Sequence, residues 1–382
     1  MIVLSVNAGS SSLKFQAYDM PEETVLISGN FERIGMKESF YTMKINGEKI
    51  KKEVELKNHE EALQILMEEL VDNQIVASLD DIKAIGHRIA QGGAYFDKAV
   101  EMTDENIKKV RELSSLAPLH NPAAVKGIKA AKNVVPNALQ TGTFDTAFHQ
   151  TIEEENYLYP VPYEWCEKYQ VRKYGFHGTS HRFINKSISE YLNRSDLKVI
   201  SCHIGSGASL CAIDSGRVVD TSMGFSPMTG IMMGTRPGDV DPSVVQYMMD
   251  EAGMTIDEVM TALNKKSGLE GICGKSDSRD VEDGIKAGDE ACILAQDMYT
   301  QKVANYIAMY NNLLNGADVI VFTAGLGENS IQTRIDVMDK IKSLGVKIDL
   351  EKNNFRGKFG IISADDSTIP VYVIPTNEEL AI

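Results

Sequence analysis

The chain has 382 residues, 43% hydrophobic and 24% charged, a globular composition with room for two domains. Against 39 basic residues stand 54 acidic ones, a net charge of −15, which argues against nucleic acid and anionic membranes as partners. Five cysteines without C-x-x-C spacing fit a reducing compartment. The absence of a basic leader or a membrane-length apolar run leads us to expect a cytoplasmic protein.

Residues 2–6 predict a strand, broken by the small polar run Asn7-Ala8-Gly9-Ser10-Ser11-Ser12, with a return strand from Leu13. A further strand is expected over 24–31, and a hairpin over 40–56 with Asn46-Gly47 as its turn. An amphipathic helix is expected over 59–71, and a short buried strand over 82–85 that delivers Gly86-His87-Arg88. Residues 103–116 read as a helix, and the next one opens with Asn121 as cap and Pro122 at its first position. The proline-marked aromatic stretch 157–169 suits an interdomain crossing. Residues 198–219 repeat the strand–turn–strand plan of 1–19, with Gly205-Ser206-Gly207 in the turn, which suggests duplication of one architecture. Helices are expected over 257–264 and 291–314. Between them and the C-terminus a third apolar run, Val319 to Phe322, breaks into Thr323-Ala324-Gly325-Leu326-Gly327-Glu328-Asn329-Ser330.

Each glycine-rich run lets backbone N–H groups approach an anion without a Cβ in the way. None matches the P-loop or the dinucleotide fingerprint. An ordinary tight turn is the alternative for each alone, but three together point to phosphate binding. Six of the seven histidines (His87, His120, His149, His177, His181, His203) neighbour small or turn-forming residues. His177 and His181 are spaced for zinc, although no acidic residue lies between them and Gly178 argues against a helix there. Arg88 and Arg236 stand beside glycines in an acidic chain, where a guanidinium can bind a phosphate or carboxylate bidentately; a structural ion pair is the alternative. Asp145 and Glu378 suit Mg²⁺, which takes one or two carboxylates plus phosphate oxygens. Together these features support a phosphoryl-transfer enzyme without naming the acceptor.

The motifs, in this order along the whole chain, resemble the acetate kinase family of the acetate and sugar kinase/Hsp70/actin-like superfamily. The resemblance rests on Asn7 to Lys14, Gly86-His87-Arg88, Leu116 to Pro122, Phe144 to His149, Tyr174 to His181, Asp220 to Phe225, Met233 to Pro242, Phe322 to Ser330 and Thr376 to Leu380. It implies an α/β fold of two duplicated actin-like (ribonuclease H-like) domains with mixed central sheets around a cleft, expected over 1–148 and 149–382. The implied reaction is reversible, Mg²⁺-dependent phosphorylation of acetate by ATP to give acetyl phosphate and ADP, with Mn²⁺ able to substitute. A homodimer is implied as well.

Carried over residue by residue, the resemblance makes Asp145, Arg88, His177 and Arg236 catalytic. Arg88, Ala90, Leu119, Phe176 and Pro227 would bind the carboxylate substrate, and Asn7 and Glu378 the metal. Ser12, Lys14, His120 and His203 would support the phosphoryl group in flight. Lys14, His203, Gly205, Ser206, Gly207, Asp277, Ser278, Arg279, Gly325, Leu326, Gly327 and Asn329 would hold the nucleotide.

The departures are informative. Ala90 stands where the family carries valine, opening space in which each extra buried carbon is worth roughly 0.8 kcal/mol. This motivates a propionate- or butyrate-preferring alternative. Gln91 replaces a histidine, Ser206 an asparagine and Ser278 an aromatic residue, which together motivate a weakened nucleotide or acyl-phosphate sensor as a further alternative. The chain stops at Ile382, about one helix short of the family pattern.

Overall fold

The computed structural model describes all 382 residues, Met1–Ile382. They form two compact units, one of Met1–Phe148 with Asn377–Ile382, the other of His149–Thr376.

The first unit is built on β1 (Ile2–Ala8), β2 (Ser12–Asp19), β3 (Thr24–Glu32), β4 (Phe40–Ile45), β5 (Glu48–Glu53), β6 (Ile82–Ile89), β7 (Val100–Glu101) and β8 (Leu139–Phe144), in the order β5-β4-β3-β2-β1-β6-β8-β7. β1 pairs antiparallel with β2 and parallel with β6, and β6 pairs parallel with β8. Helices His59–Asp72 and Asn121–Val134 pack on this sheet. The second of them lies so near β1 that a Cβ on Gly127 would sit 2.9 Å from that of Ala8.

The second unit carries β9 (Lys198–Ile204), β10 (Ala208–Asp214), β11 (Arg217–Thr221), β12 (Val319–Thr323), β13 (Gly360–Ile361) and β14 (Val371–Val373), in the order β11-β10-β9-β12-β14-β13. β9 pairs antiparallel with β10 and parallel with β12, and β12 pairs parallel with β14. The duplication expected from 1–19 and 198–219 is therefore topological: β3-β2-β1-β6-β8 and β11-β10-β9-β12-β14 have the same order and the same strand directions, each with a short antiparallel edge beyond. β12 is buried along its whole length, which explains its uninterrupted apolar run. Helices Glu290–Leu313 and Ile331–Lys340 belong to the same layer of packing. Cys202 and Cys211 are core residues of β9 and β10, and all five cysteines are free.

Several local expectations are corrected. Asn121 is not a helix cap. It is the first helical residue after His120, and its buried amide bonds the backbone N–H and carbonyl of Gln91, at 3.1 and 2.9 Å. Residues 157–169 are not a crossing but lie inside the second unit, with a helix at Glu164–Tyr169. The last six residues, expected with the second domain, fold onto the first unit: Thr143 Oγ1 donates to the Ile382 carbonyl at 3.1 Å, and Tyr18 bonds Asn377 at 3.3 Å. Gly86 makes room for this tail, since a Cβ there would lie 3.0 Å from the Ile382 carbonyl oxygen. No helix is long and apolar enough to cross a membrane.

Candidate phosphoryl-transfer residues

In the first unit β1 ends at Asn7-Ala8, and Gly9 N–H closes the turn on the Ser12 carbonyl at 2.9 Å. A Cβ on Gly9 would meet Ser12 Oγ at 2.6 Å, so this position needs glycine. Lys14 lies opposite Asn7 in the β1–β2 register and pairs with Glu379. On β6, Arg88 grips Asp145 bidentately, Nε to Oδ1 at 3.0 Å and Nη2 to Oδ2 at 2.6 Å. Asp145 follows β8 and is locked by its N–H to the Ile89 carbonyl at 2.9 Å. The charge of Asp145 holds the Arg88 guanidinium firmly protonated. Glu378, the first residue of the short helix Glu378–Ala381, has its pKa raised by burial, with Arg88 opposing and the Asp145 and Glu379 charges adding.

This donor set can be tested against Mg²⁺ on its chemistry. Asn7, Asp145 and Glu378 offer hard oxygen atoms, and the desolvated Glu378 carboxylate beside two like charges is favoured by a cation. No group of three or more His, Cys, Asp or Glu side chains forms a closed protein cage. Mg²⁺ itself takes one or two carboxylates and completes its shell with waters and phosphate oxygens.

His87 does not join this set. It is buried, bonded to Gln140 at 2.7 Å, and its pKa is pushed down to about 4 by desolvation. Gln91 is a buried brace whose Oε1 accepts from Gly93 N–H at 2.8 Å. Ala90 is half-buried, while Leu119 and His120 are exposed.

The histidines of the second unit correct the sequence reading. Gly178 does not prevent a helix but starts one, Gly178–Leu192, and His177 precedes it at φ 57°. Left-handed backbone is uncommon outside glycine and clusters at functional sites. His181 lies inside that helix and His203 on β9, so these rings stand on regular elements rather than in turns. His177 and His203 stack with centroids 4.1 Å apart. His181 bonds Ser201 and Ser209, each at 2.9 Å, which gives it a partner on both nitrogens and leaves neither for zinc. His203 bonds Ser180 at 2.8 Å, and Ser180 in turn bonds Thr376 at 2.9 Å.

Arg236 donates to the Pro227 carbonyl, and no carboxylate pairs with it; burial alone lowers its pKa. A Cβ on Gly207 would come within 2.6 Å of Arg236 Nη2 and 3.6 Å of His177 Nε2. Glycine is therefore what lets the second turn lie against both the Arg236 guanidinium and the His177 ring. Phe176 is buried, and its carbonyl accepts from His149 Nε2 at 2.9 Å.

A cavity of about 630 Å³ in the same unit is lined by eight of the residues expected at the nucleotide: Gly205, Ser206, Asp277, Ser278, Arg279, Gly325, Leu326 and Asn329. Asp277 caps the helix Ser278–Lys286, and its hydrogen bonds with Arg279 bring its pKa down to about 2. His203, Gly207 and Gly327 are not among the lining residues. A Cβ on Gly327 would instead lie 3.4 Å from the backbone of Phe322. The third glycine run is itself a helix, Ala324–Asn329, entered through Ala324 at φ 65°. Glu328 Oε1 fixes the entry by accepting from the N–H groups of Ala324 at 2.7 Å and Thr376 at 3.0 Å.

Sequence reasoning missed Gly234, Ser276, Glu282, Tyr299, Ser330 and Arg356 in that cavity. It also missed Arg334. This fully buried guanidinium donates to the carbonyls of Gly327 and Glu328 at 3.1 and 2.9 Å, and to those of Asn353 and Phe355 at 3.0 and 2.8 Å. It thereby ties the third glycine run to the loop that carries Arg356.

The acetokinase family profile matches residues 2–382. The chain belongs to the acetokinase family. The acetate kinases of Shouchella clausii (strain KSM-K16) and Bacillus subtilis (strain 168) are each 47% identical to it over 383 residues, covering 100% of this chain and 97% of theirs. Among solved structures, Porphyromonas gingivalis acetate kinase superposes with a TM-score of 0.96 at 42% identity. A propionate kinase from Francisella tularensis subsp. tularensis SCHU S4 superposes at 0.95 and 38%. Both structures cover 100% of this chain and 97% of their own. The fold is accordingly the duplicated actin-like one, and the activity is that of an acetate kinase, phosphoryl exchange between ATP and acetate. With that activity the weakened-sensor alternative is set aside.

Proposed function

We propose that the first unit supplies the carboxylate- and metal-binding groups of this reaction and the second the phosphoryl- and nucleotide-binding groups. Arg88, oriented by Asp145, binds the acetate carboxylate; Ala90, Leu119, Phe176 and Pro227 border its methyl. Asn7 and Glu378, with Asp145, hold Mg²⁺ directly or through water. When bound, the ion neutralises phosphate charge. The carboxylate nucleophile is already ionised near neutral pH, so no general base is needed and catalysis rests on positioning and charge neutralisation. Arg236 neutralises and His177 hydrogen-bonds the oxygens of the transferring group, supported by Ser12, Lys14, His120 and His203. The adenine nucleotide occupies the cavity bordered by Ser206, Ser278 and Gly325. The protein acts in the cytoplasm as a homodimer.

The observation that carries this reading is Arg236, a desolvated guanidinium with no carboxylate partner, over a glycine that admits close approach. Such a group is stabilised by a bound anion. The test is acyl phosphate formation, trapped as hydroxamate, with ATP, Mg²⁺ and acetate. Arg236→Ala is expected to lower kcat by about a hundredfold or more while the fold, followed by circular dichroism, is retained. Retained kcat overturns the assignment.

Ala90 supports tolerance of propionate by the same site. Running the acid series with Ala90→Val reads it directly: the valine is expected to raise the acetate-to-propionate ratio of kcat/KM by about tenfold. An unchanged ratio removes that reading.

A further inference from the structure

The buried side chains behind His177 form one hydrogen-bonded line. His177 Nδ1 meets Ser209 Oγ at 2.9 Å, and Ser209 Oγ meets His181 Nε2 at 2.9 Å. His181 Nδ1 then meets Ser201 Oγ, also at 2.9 Å. Ser201, Ser209 and His181 are all fully buried. The elements fix this line: Ser201 on β9 and Ser209 on β10 lie on neighbouring strands, and His181 projects from the helix Gly178–Leu192, which packs on β9.

The line has a direction, and its end sets it. Ser201 Oγ has His181 Nδ1 as its one hydrogen-bonding partner. If His181 donated to Ser201, the Ser201 proton would be left buried with no acceptor. An orphaned donor is costly, whereas an unused hydroxyl lone pair is not. Ser201 therefore donates. His181 is neutral, because burial first and the nearby His149 and His203 rings second push its pKa well below the usual range. A neutral imidazole carries one proton, which must then be on Nε2 and point at Ser209. Ser209 accepts that bond and gives its own proton to His177 Nδ1.

We propose that Ser201, His181 and Ser209 act as positioning residues that fix His177 as the neutral tautomer protonated on Nε2. Nε2 is the nitrogen that shares the Gly207 site with Arg236. In this tautomer His177 donates a hydrogen bond to a phosphoryl oxygen there, while the opposite tautomer would offer a lone pair and repel it. Protonation at Nδ1 would require Ser209 to reverse, and with it His181 and Ser201, so the line also keeps the ring neutral. This inference rests on the role proposed above for His177.

The experiment uses the full chain labelled with ¹⁵N-histidine, with His177 and His181 resonances assigned through His177→Ala. Near pH 8 the ring ¹⁵N shifts and long-range couplings are expected to show both residues with bare Nδ1 and protonated Nε2. Protonated Nδ1 as the main form of either ring overturns the proposal, and this spectrum decides whether or not any variant folds. Ser209→Ala is expected to lower kcat about tenfold with KM for acetate nearly unchanged, and to give His177 a titration absent from the parent. Ser209→Thr, which keeps the hydroxyl, restores both. Unchanged kcat and titration in Ser209→Ala also overturn the proposal. If the tautomers are as described but His177→Ala retains kcat, the role of His177 fails while the line itself stands.

Discussion

Glu378 carries the most informative single charge of the first unit. Desolvation raises its pKa, Arg88 opposes, and Asp145 and Glu379 add to the rise. A carboxyl whose folded pKa lies above its unfolded value binds protons more tightly when folded, so stability falls as pH rises through that window. In the absence of metal, Glu378→Gln is therefore expected to raise Tm at pH 8 and to leave it unchanged below the ordinary carboxylate range. Saturating Mg²⁺ with ADP should stabilise the parent more than the variant, and hydroxamate formation should fall by about a hundredfold. Differential scanning calorimetry at the two pH values checks the sign. Lower Tm for the variant at pH 8 would show that the carboxylate is held by protein partners rather than kept for a cation. Glu378 was legible from its motif, as were Arg88, Asp145 and Arg236. Residue type alone did not reveal that Arg88 and Asp145 bind each other bidentately.

The three glycine-rich runs show where local sequence stops being enough. The first two are turns between antiparallel strands, as their serines and glycines indicate. The third reads the same way but is the helix Ala324–Asn329, because Glu328 closes its entry from within the run and Arg334 holds its exit from outside. Two glycines in six residues disfavour a helix locally, and tertiary contacts override that preference. The same limit applied to His177-Gly178: the glycine looked like a break, yet the left-handed residue before it lets the helix begin. Arg334 is the testable part of this brace. Arg334→Met keeps the unbranched apolar stem of the side chain and removes donors from four carbonyls. A loss of about 3 kcal/mol in urea unfolding is expected, together with weaker ADP binding by calorimetry, since the brace holds both the third run and the Arg356 loop. Unaltered stability would mean that those carbonyls find other donors.

For the molecule as a whole, duplication explains both the fold and the spread of its motifs. Each sheet presents a strand–turn–strand block followed by two parallel strands, and the groups proposed for chemistry stand at or near strand ends in both: Asn7, Arg88 and Asp145 in one, His203, Gly205 and Gly325 in the other. The order of strands was readable only as weak self-similarity, because pairing β1 with β6 and β9 with β12 joins segments far apart in sequence. The two copies have since diverged. The cavity with the expected nucleotide residues lies entirely within His149–Thr376, whereas the buried carboxylate set lies within the other unit. If ADP binds that cavity, its free energy is first spent ordering cavity segments. Hydrogen exchange with ADP alone should therefore slow amides at Ser276–Ser278 and Gly325–Ser330 by about tenfold or more and leave those at Arg88 and Asp145 near their apo rates. Equal protection of both sets by ADP alone would contradict a nucleotide site contained in one unit.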